Sequence, residues 1–156
     1  MPKTITFNAF LTFSLTILFC SSLAAQSTED SVKAAVNKMF TAMKNADSIQ
    51  LKNSFSESAV LQTISKTKGG PTMVRTEVIN DFISFVGKTT KGDADERITF
   101  GAIHIDGDLA SVWTPYNFYY KGTFSHCGVN SFQLVRINAE WKIQYIIDTR
   151  RKEGCN

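Results

Sequence analysis

Histidine and cysteine, the residues that most often announce a metal or a nucleophile, are scarce here: two of the first and three of the second in 156 residues. With no third histidine and no carboxylate at ligand spacing, neither a metal site nor a cofactor is expected. A charge excess is missing too. The formal net charge is +3, and the basic residues are scattered: Lys66 and Lys68 in a turn, Lys142, Arg150, Arg151 and Lys152 near the end. Nothing there forms the stripe that would argue for nucleic acid. No internal repeat or low-complexity segment is visible. Nor is there a run of roughly 20 strongly apolar residues, as a membrane span needs; Ile5 to Leu23 comes nearest, but Thr, Ser and Asn interrupt it.

That opening stretch reads instead as a secretory signal peptide, with Lys3 as its positive start, an apolar centre and the small pair Ala24-Ala25 at its end. Cleavage is expected after Ala25, with Ala24 the alternative. Cys20 follows Phe19 rather than a small residue, which argues against a lipid anchor. Residues 26–156 are then long enough for one domain and too short for two. This domain is expected in the periplasm or outside the cell, with no stable membrane insertion. An oxidising compartment allows the two remaining cysteines, Cys127 and Cys155, to pair.

Along the chain, Val32, Ala35, Val36, Met39, Phe40 and Met43 repeat at helical spacing between Thr28 and Asn45, with Ser27 or Thr28 as cap. The methionines read as core filler. Asp47 looks like the N-cap of a second, shorter helix. Ala59 to Ser65 has strand character, Lys66 to Pro71 is a turn, and Met73-Val74 starts a return strand. Thr76 is placed to cap a third helix carrying Val78, Ile79, Phe82, Phe85 and Val86, which Gly87 ends. The polar segment Lys88 to Glu96 reads as a surface loop. The period then drops to two over Arg97–Ile105, Leu109–Tyr120, Thr123–Ile137 and Trp141–Asp148. Helices followed by such a meander predict an α+β domain with helices on one face of an antiparallel-rich sheet.

Turns set the pairing. If Asp106-Gly107 and Lys121-Gly122 are two-residue turns, Ile105 pairs with Asp108 and Tyr120 with Thr123. One face of the sheet then carries His104, Leu109, Trp113, Asn117, Tyr119, His126, Asn130 and Phe132, a mixture suited to a pocket wall. The other carries Tyr116, Phe118, Cys127 and Val129. The two histidines fall opposite positions 109 and 117, on the order of 26 Å apart, too far to share one site. A three-residue loop Asn138-Ala139-Glu140 sets Asp148 opposite Asn130; a two-residue loop would move it to the other face. Cys127 lies opposite a position near Arg151, and Cys155 follows closely enough to return, so a Cys127–Cys155 disulfide is expected.

The element order, with VWTPYNFYYKGTFSHCG and WKIQYIIDTR, resembles the nuclear transport factor 2-like superfamily, more narrowly its secreted bacterial members described as SnoaL-like or lumazine-binding. The resemblance implies a cone: a strongly bent sheet whose concave side about three N-terminal helices close, leaving a mostly apolar cavity. Among such proteins are ketosteroid isomerase-like and dehydratase-like enzymes, cyclases, binding modules and dimerisation domains, so the fold does not decide the function. A homodimer is the expected assembly.

Two functions follow. One is a binding domain for a small apolar or aromatic molecule, held by Trp113, Tyr116, Tyr119 and Phe132 with His126 or Asn130 orienting it. The other is a cofactor-independent lyase or isomerase with His126 or Asp148 as candidate catalytic base and a tyrosine hydroxyl as electrophile. A purely structural His126, bonded beside the disulfide, is the third reading. Catalysis would need two ionisable groups in one apolar pocket; the registers above hold the plausible pair apart, which favours binding, or a dimerisation or scaffold role, over catalysis.

Overall fold

The computed structural model describes residues 27–66 and 69–155. The leader expected over residues 1–25 lies outside them. No helix among the described residues is long and apolar enough to cross a membrane.

Helix α1 (Thr28–Lys44) starts where Ser27 Oγ accepts the Asp30 N–H at 3.0 Å, and it buries Val32, Val36, Met39, Phe40 and Met43. Such a cap is worth about 1 kcal/mol. Helix α2 (Ser48–Ser54) starts in the same way at Asp47, which accepts the Gln50 N–H at 2.9 Å. Strands β1 (Phe55–Lys66) and β2 (Thr72–Glu77) form an antiparallel hairpin. Thr76, expected to cap the next helix, lies in β2, where its backbone pairs with Gln62 and its hydroxyl accepts from Gln62 Nε2. Strand pairing claims this residue, so helix α3 (Ile79–Gly87) begins later, at Val78, without a side-chain cap.

The sheet runs β2-β1-β7-β6-β5-β3, with β4 also on β5. The expected single run Arg97–Ile105 is two strands, β3 (Ala94–Ile98) and β4 (Ile103–Asp106), pairing with opposite ends of β5 (Leu109–Tyr120). Between them the chain stays bonded to β5 through Thr99 N–H to the Pro115 carbonyl and Gly101 N–H to the Trp113 carbonyl, at 3.0 and 2.8 Å. Strand β3 also takes in the end of the supposed surface loop, where Ala94 and Asp95 are buried. The remaining strands are β6 (Thr123–Ile137) and β7 (Glu140–Arg151). Pairing of β1 with β7 is parallel and the rest antiparallel, so the sheet is mixed.

Three registers depart from the turn-based expectation. At β4–β5, Asp106 pairs with Leu109, a shift of two that leaves the faces unchanged and sets His104 opposite Ser111. At β5–β6, Tyr120 pairs with Thr123 as expected, but a bulge follows and Phe118 pairs with His126. The residue inserted is Ser125, and every later residue of β6 meets a different face of β5. At β6–β7 the turn is the two-residue Asn138-Ala139, with φ of 50° and 65°. A second bulge, at Gln144, then restores Asn130 opposite Asp148. The expected pairing is reached by two departures that cancel.

Helix α1 packs into the sheet's concave side: Val32, Val36 and Phe40 share a core with Val112, Phe132, Leu134 and Ile146, and the Phe40 ring stands edge-on to Phe132 at 6.0 Å. Trp141 Nε1 donates to Ser31 Oγ at 3.0 Å, pinning the helix to β7. The C-terminal tail is held by the Cys127–Cys155 disulfide, with Cα atoms 5.8 Å apart. Closing a loop of this length contributes roughly 3–4 kcal/mol by chain-entropy reasoning.

Candidate functional site

Because the sheet curls and α1 and α3 close only part of its concave face, a cavity of about 590 Å³ remains between them. Its walls are apolar: Met39, Phe40 and Met43 from α1, Phe82 and Phe85 from α3, Phe118, Phe132 and Ile146 from the sheet. One region is polar. There Glu96 of β3, Tyr116 of β5, His126 and Asn130 of β6, and Asp148 and Arg150 of β7 all line the same space. Alternation explains the grouping, since residues two apart on a strand share a face and the pairings Thr114–Asn130 and Asn130–Asp148 align that face across three strands.

Asp148 is buried, with 6% of its surface exposed. Its Oδ2 accepts from Arg150 Nε at 2.8 Å and from the Tyr116 hydroxyl at 3.2 Å, while Oδ1 is buried and accepts no hydrogen bond from the described residues. Arg150 continues to Thr63 Oγ1 at 2.9 Å through Nη2. The Tyr116 hydroxyl, with one proton to give, lies 3.0 Å from the Thr149 carbonyl as well. Gly128 makes this approach possible, because a Cβ there would collide with the Thr149 carbonyl and stand 2.8 Å from the Tyr116 ring. Asn130 Nδ2 donates to Glu96 Oε1 at 2.8 Å.

Burial decides the electrostatics. Glu96 is partly exposed by area, but the surface it keeps lines the cavity. Loss of water raises its carboxyl to about 7, and the Asp148 charge adds to the rise against the opposing Asn130 bond and Arg150 charge. Burial likewise pushes the Tyr116 phenol up, reinforced by Asp148 and Glu96. His126 is held below its ordinary value by burial, then by Arg150 and Lys152. For Arg150 burial acts the other way, yet the Asp148 bond and charge outweigh it and raise the guanidinium further. The cavity thus holds a carboxylate locked in an ion pair beside a carboxyl poised near neutrality.

No family model matches the chain, and no curated protein matches it. Solved structures do. A protein of unknown function from Shewanella baltica OS155, described as nuclear transport factor 2-like, superposes with a TM-score of 0.62 at 14% identity, over 80% of this chain and 94% of that one. One from Silicibacter pomeroyi DSS-3, described in the same way, gives 0.60 at 16% identity, over 78% and 93%. A domain from Nostoc punctiforme PCC 73102 with a cystatin-like fold gives 0.60 at 15% identity, over 81% and 78%. The fold is the nuclear transport factor 2-like one.

Within this nuclear transport factor 2-like cone, Tyr116, His126, Asn130, Phe132 and Asp148 come together around one cavity. Trp113 and Tyr119 do not join them. The Ser125 bulge puts Trp113 opposite Ser131 on the outer face, where it is 49% exposed, and leaves Tyr119 edge-on to Phe124 with the Arg97 guanidinium 4.1 Å from its ring. The same bulge brings Tyr116 and Phe118 inward, against the face first assigned to them. His126 stacks at a tilt on Phe118 at 5.1 Å, and its Nδ1 lies 3.0 Å from Ser125 Oγ. His104 is opposite Ser111 and His126 opposite Phe118, so roughly 23 Å separate the two.

Glu96 and Arg150 were missed by sequence reasoning. Glu96 sits in a stretch that looks like a loop because of its polarity. The one available signal was the alternation Ala94, Glu96, Ile98, small and apolar residues flanking an acid at period two. Arg150 repeats the face of Asp148 two residues on, which the basic ending of the strand disguises.

Proposed function

We propose that this domain binds a small, mostly apolar molecule with one polar end in the cone's cavity. The observation that carries the reading is the cavity's division: about 590 Å³ walled mainly by Met, Phe and Ile, with hydrogen-bonding groups gathered at Glu96, Tyr116, His126, Asn130 and Asp148. Pre-formed apolar clefts with a few convergent polar groups are the usual form of ligand sites. An environment-sensitive apolar fluorophore should bind with saturation, and Phe82→Asp, which sets a charge in the wall, should abolish the signal while leaving the circular dichroism spectrum unchanged. A non-saturating signal that Phe82→Asp does not alter would rule out the cavity as the site.

A second reading, proton transfer to or from the bound molecule without a cofactor, is favoured by one specific observation. Glu96, whose carboxyl burial raises to about 7, shares the cavity with the Asp148–Arg150 ion pair, so a group able to give or take a proton near neutrality stands beside the Tyr116 hydroxyl. Glu96, rather than His126, is then the acid-base group, and Tyr116 the hydrogen-bond donor. Export belongs to the same proposal, supported by the disulfide. So does assembly into homodimers, supported by Leu109, Trp113, Phe124 and Ile137 exposed along β5 and β6. Native mass spectrometry of the exported protein would report the dimer, a free monomer excluding it.

A further inference from the structure

The cavity's charges do not balance. Glu77, Asp81, Glu96 and Asp148 line it, against a single permanent cation among the described residues, Arg150. Arg150 is already committed, through Nε to Asp148 Oδ2 and through Nη2 to Thr63. Glu77 has its own counterion, Arg75, at 2.6 Å, and Asp81 is an exposed rim residue. That leaves Glu96, which forms no ion pair among the described residues, beside an Asp148 whose charge is met only by Arg150. Asp148 is 6% exposed and its Oδ1 has no hydrogen-bond partner among the described residues, an arrangement that costs free energy. Glu96 stands across Asn130 from it, bonded to that amide through Oε1. Among the described residues no lysine lines the space.

An anionic ligand would add to this excess, and a neutral hydroxyl would satisfy one oxygen without cancelling the charge. A cation does both. The cavity is rich in aromatic rings, and Tyr116 and Phe118, both against His126, stand at its polar end, available to face a positive group. We propose that the ligand is a lipophilic cation, a primary amine on an apolar or aromatic body, with its ammonium lodged between Asp148 and Glu96. This rests on the binding reading and names the class of molecule.

The groups facing Glu96 set the pH response. They are Tyr116 from β5, His126 and Asn130 from β6, Asp148 and Arg150 from β7, with Glu77 and Asp81 at the rim. Tyr116 stays protonated and Arg150 charged throughout, and His126, held below its ordinary value, is largely neutral above pH 6.5. Glu96 is the group that changes. A cation prefers its ionised form, so affinity should rise from pH 6 to pH 8.

The test is calorimetric titration of the full chain, expressed for export and with its disulfide formed, against 4-phenylbutylamine, 4-phenylbutanol and 4-phenylbutyrate. The amine should bind about tenfold or more tighter than the alcohol, with the acid weakest. Glu96→Gln should weaken the amine about tenfold and flatten its pH response. Alcohol or acid binding as tightly as the amine overturns the cation and leaves the binding reading standing, as does failure of all three with the apolar fluorophore still bound. Failure of the three and of the fluorophore overturns both. The three-ligand comparison uses the unaltered protein, so it decides even if the Glu96 variant folds poorly.

Discussion

On β3, Asp95 turns away from the cavity, and its carboxylate meets Lys44 Nζ, at the end of α1, at 2.9 Å and Arg97 Nε, on its own strand, at 3.0 Å. Burial alone would raise its carboxyl, but those two cations outweigh it and hold it low. Glu96, next in the chain, turns inward. There the nearest strong donor is a neutral amide and the nearest charges belong to an ion pair already formed, so its carboxyl rises to about 7. One step along a strand reverses the face and with it the sign of the shift. The same division runs across the sheet: Phe132 on the inner face is fully buried, while Trp113, opposite the neighbouring residue Ser131, is half in water. The outer face meets its charges with counterions; the inner face leaves acidic groups under-compensated.

The contrast is broken most severely at the core. Phe132→Ala should cost about 3–5 kcal/mol in chemical unfolding, whereas Trp113→Ala should cost under about 1 kcal/mol and leave fluorophore binding intact. If Trp113→Ala abolishes binding, the bulged register is wrong. Next in size is Glu96. Because its folded value lies above the ordinary 4.5, the native state holds an extra proton between there and about 7. Stability should therefore fall as pH rises through that window, by up to about 3 kcal/mol from this group. Glu96→Gln should remove the decline and leave the protein more stable than the original at pH 8, measured by urea unfolding at several pH values. A decline of unchanged slope in the variant would assign it to another group.

The smallest effect is expected at Asp95, with the opposite sign. Its lowered value contributes stability that is present above the ordinary carboxylate range and lost as pH falls through its folded value. Lys44 and Arg97 are mostly exposed, so solvent screening keeps Asp95→Asn to a loss of about 1 kcal/mol at pH 7, shrinking towards pH 3. A stabilising Asp95→Asn would erase the distinction between the two neighbours.

How much of this was readable beforehand divides by range. Ser27 and Asp47 cap their helices as their side chains predict, and the methionines of α1 face the core and the cavity it borders. The Lys121-Gly122 turn starts β6 in the expected place. At the site, His126, Asn130 and Phe132 were placed on one face, Asp148 joined them only if the last loop had three residues and was held apart from His126, and Tyr116 was named as a ligand contact although Trp113 and Tyr119 stood on the face that it and Phe118 occupy. Glu96 was hidden because polarity was read as exposure. An acid on a strand can be polar for the sake of a cavity as readily as for solvent.

The sequence by itself determined what depends on near neighbours: helical and strand periods, caps, turn positions and the cysteine pair that a short tail can join. Only the tertiary structure decided which side of the sheet is inside. That choice hangs on one inserted residue, Ser125, and on a strand, β3, that finds its partner across the cone. Side chains alternate with a period of two, so a single bulge exchanges the faces. Its position answers to how the sheet closes over α1 and α3, which no local run of residues encodes.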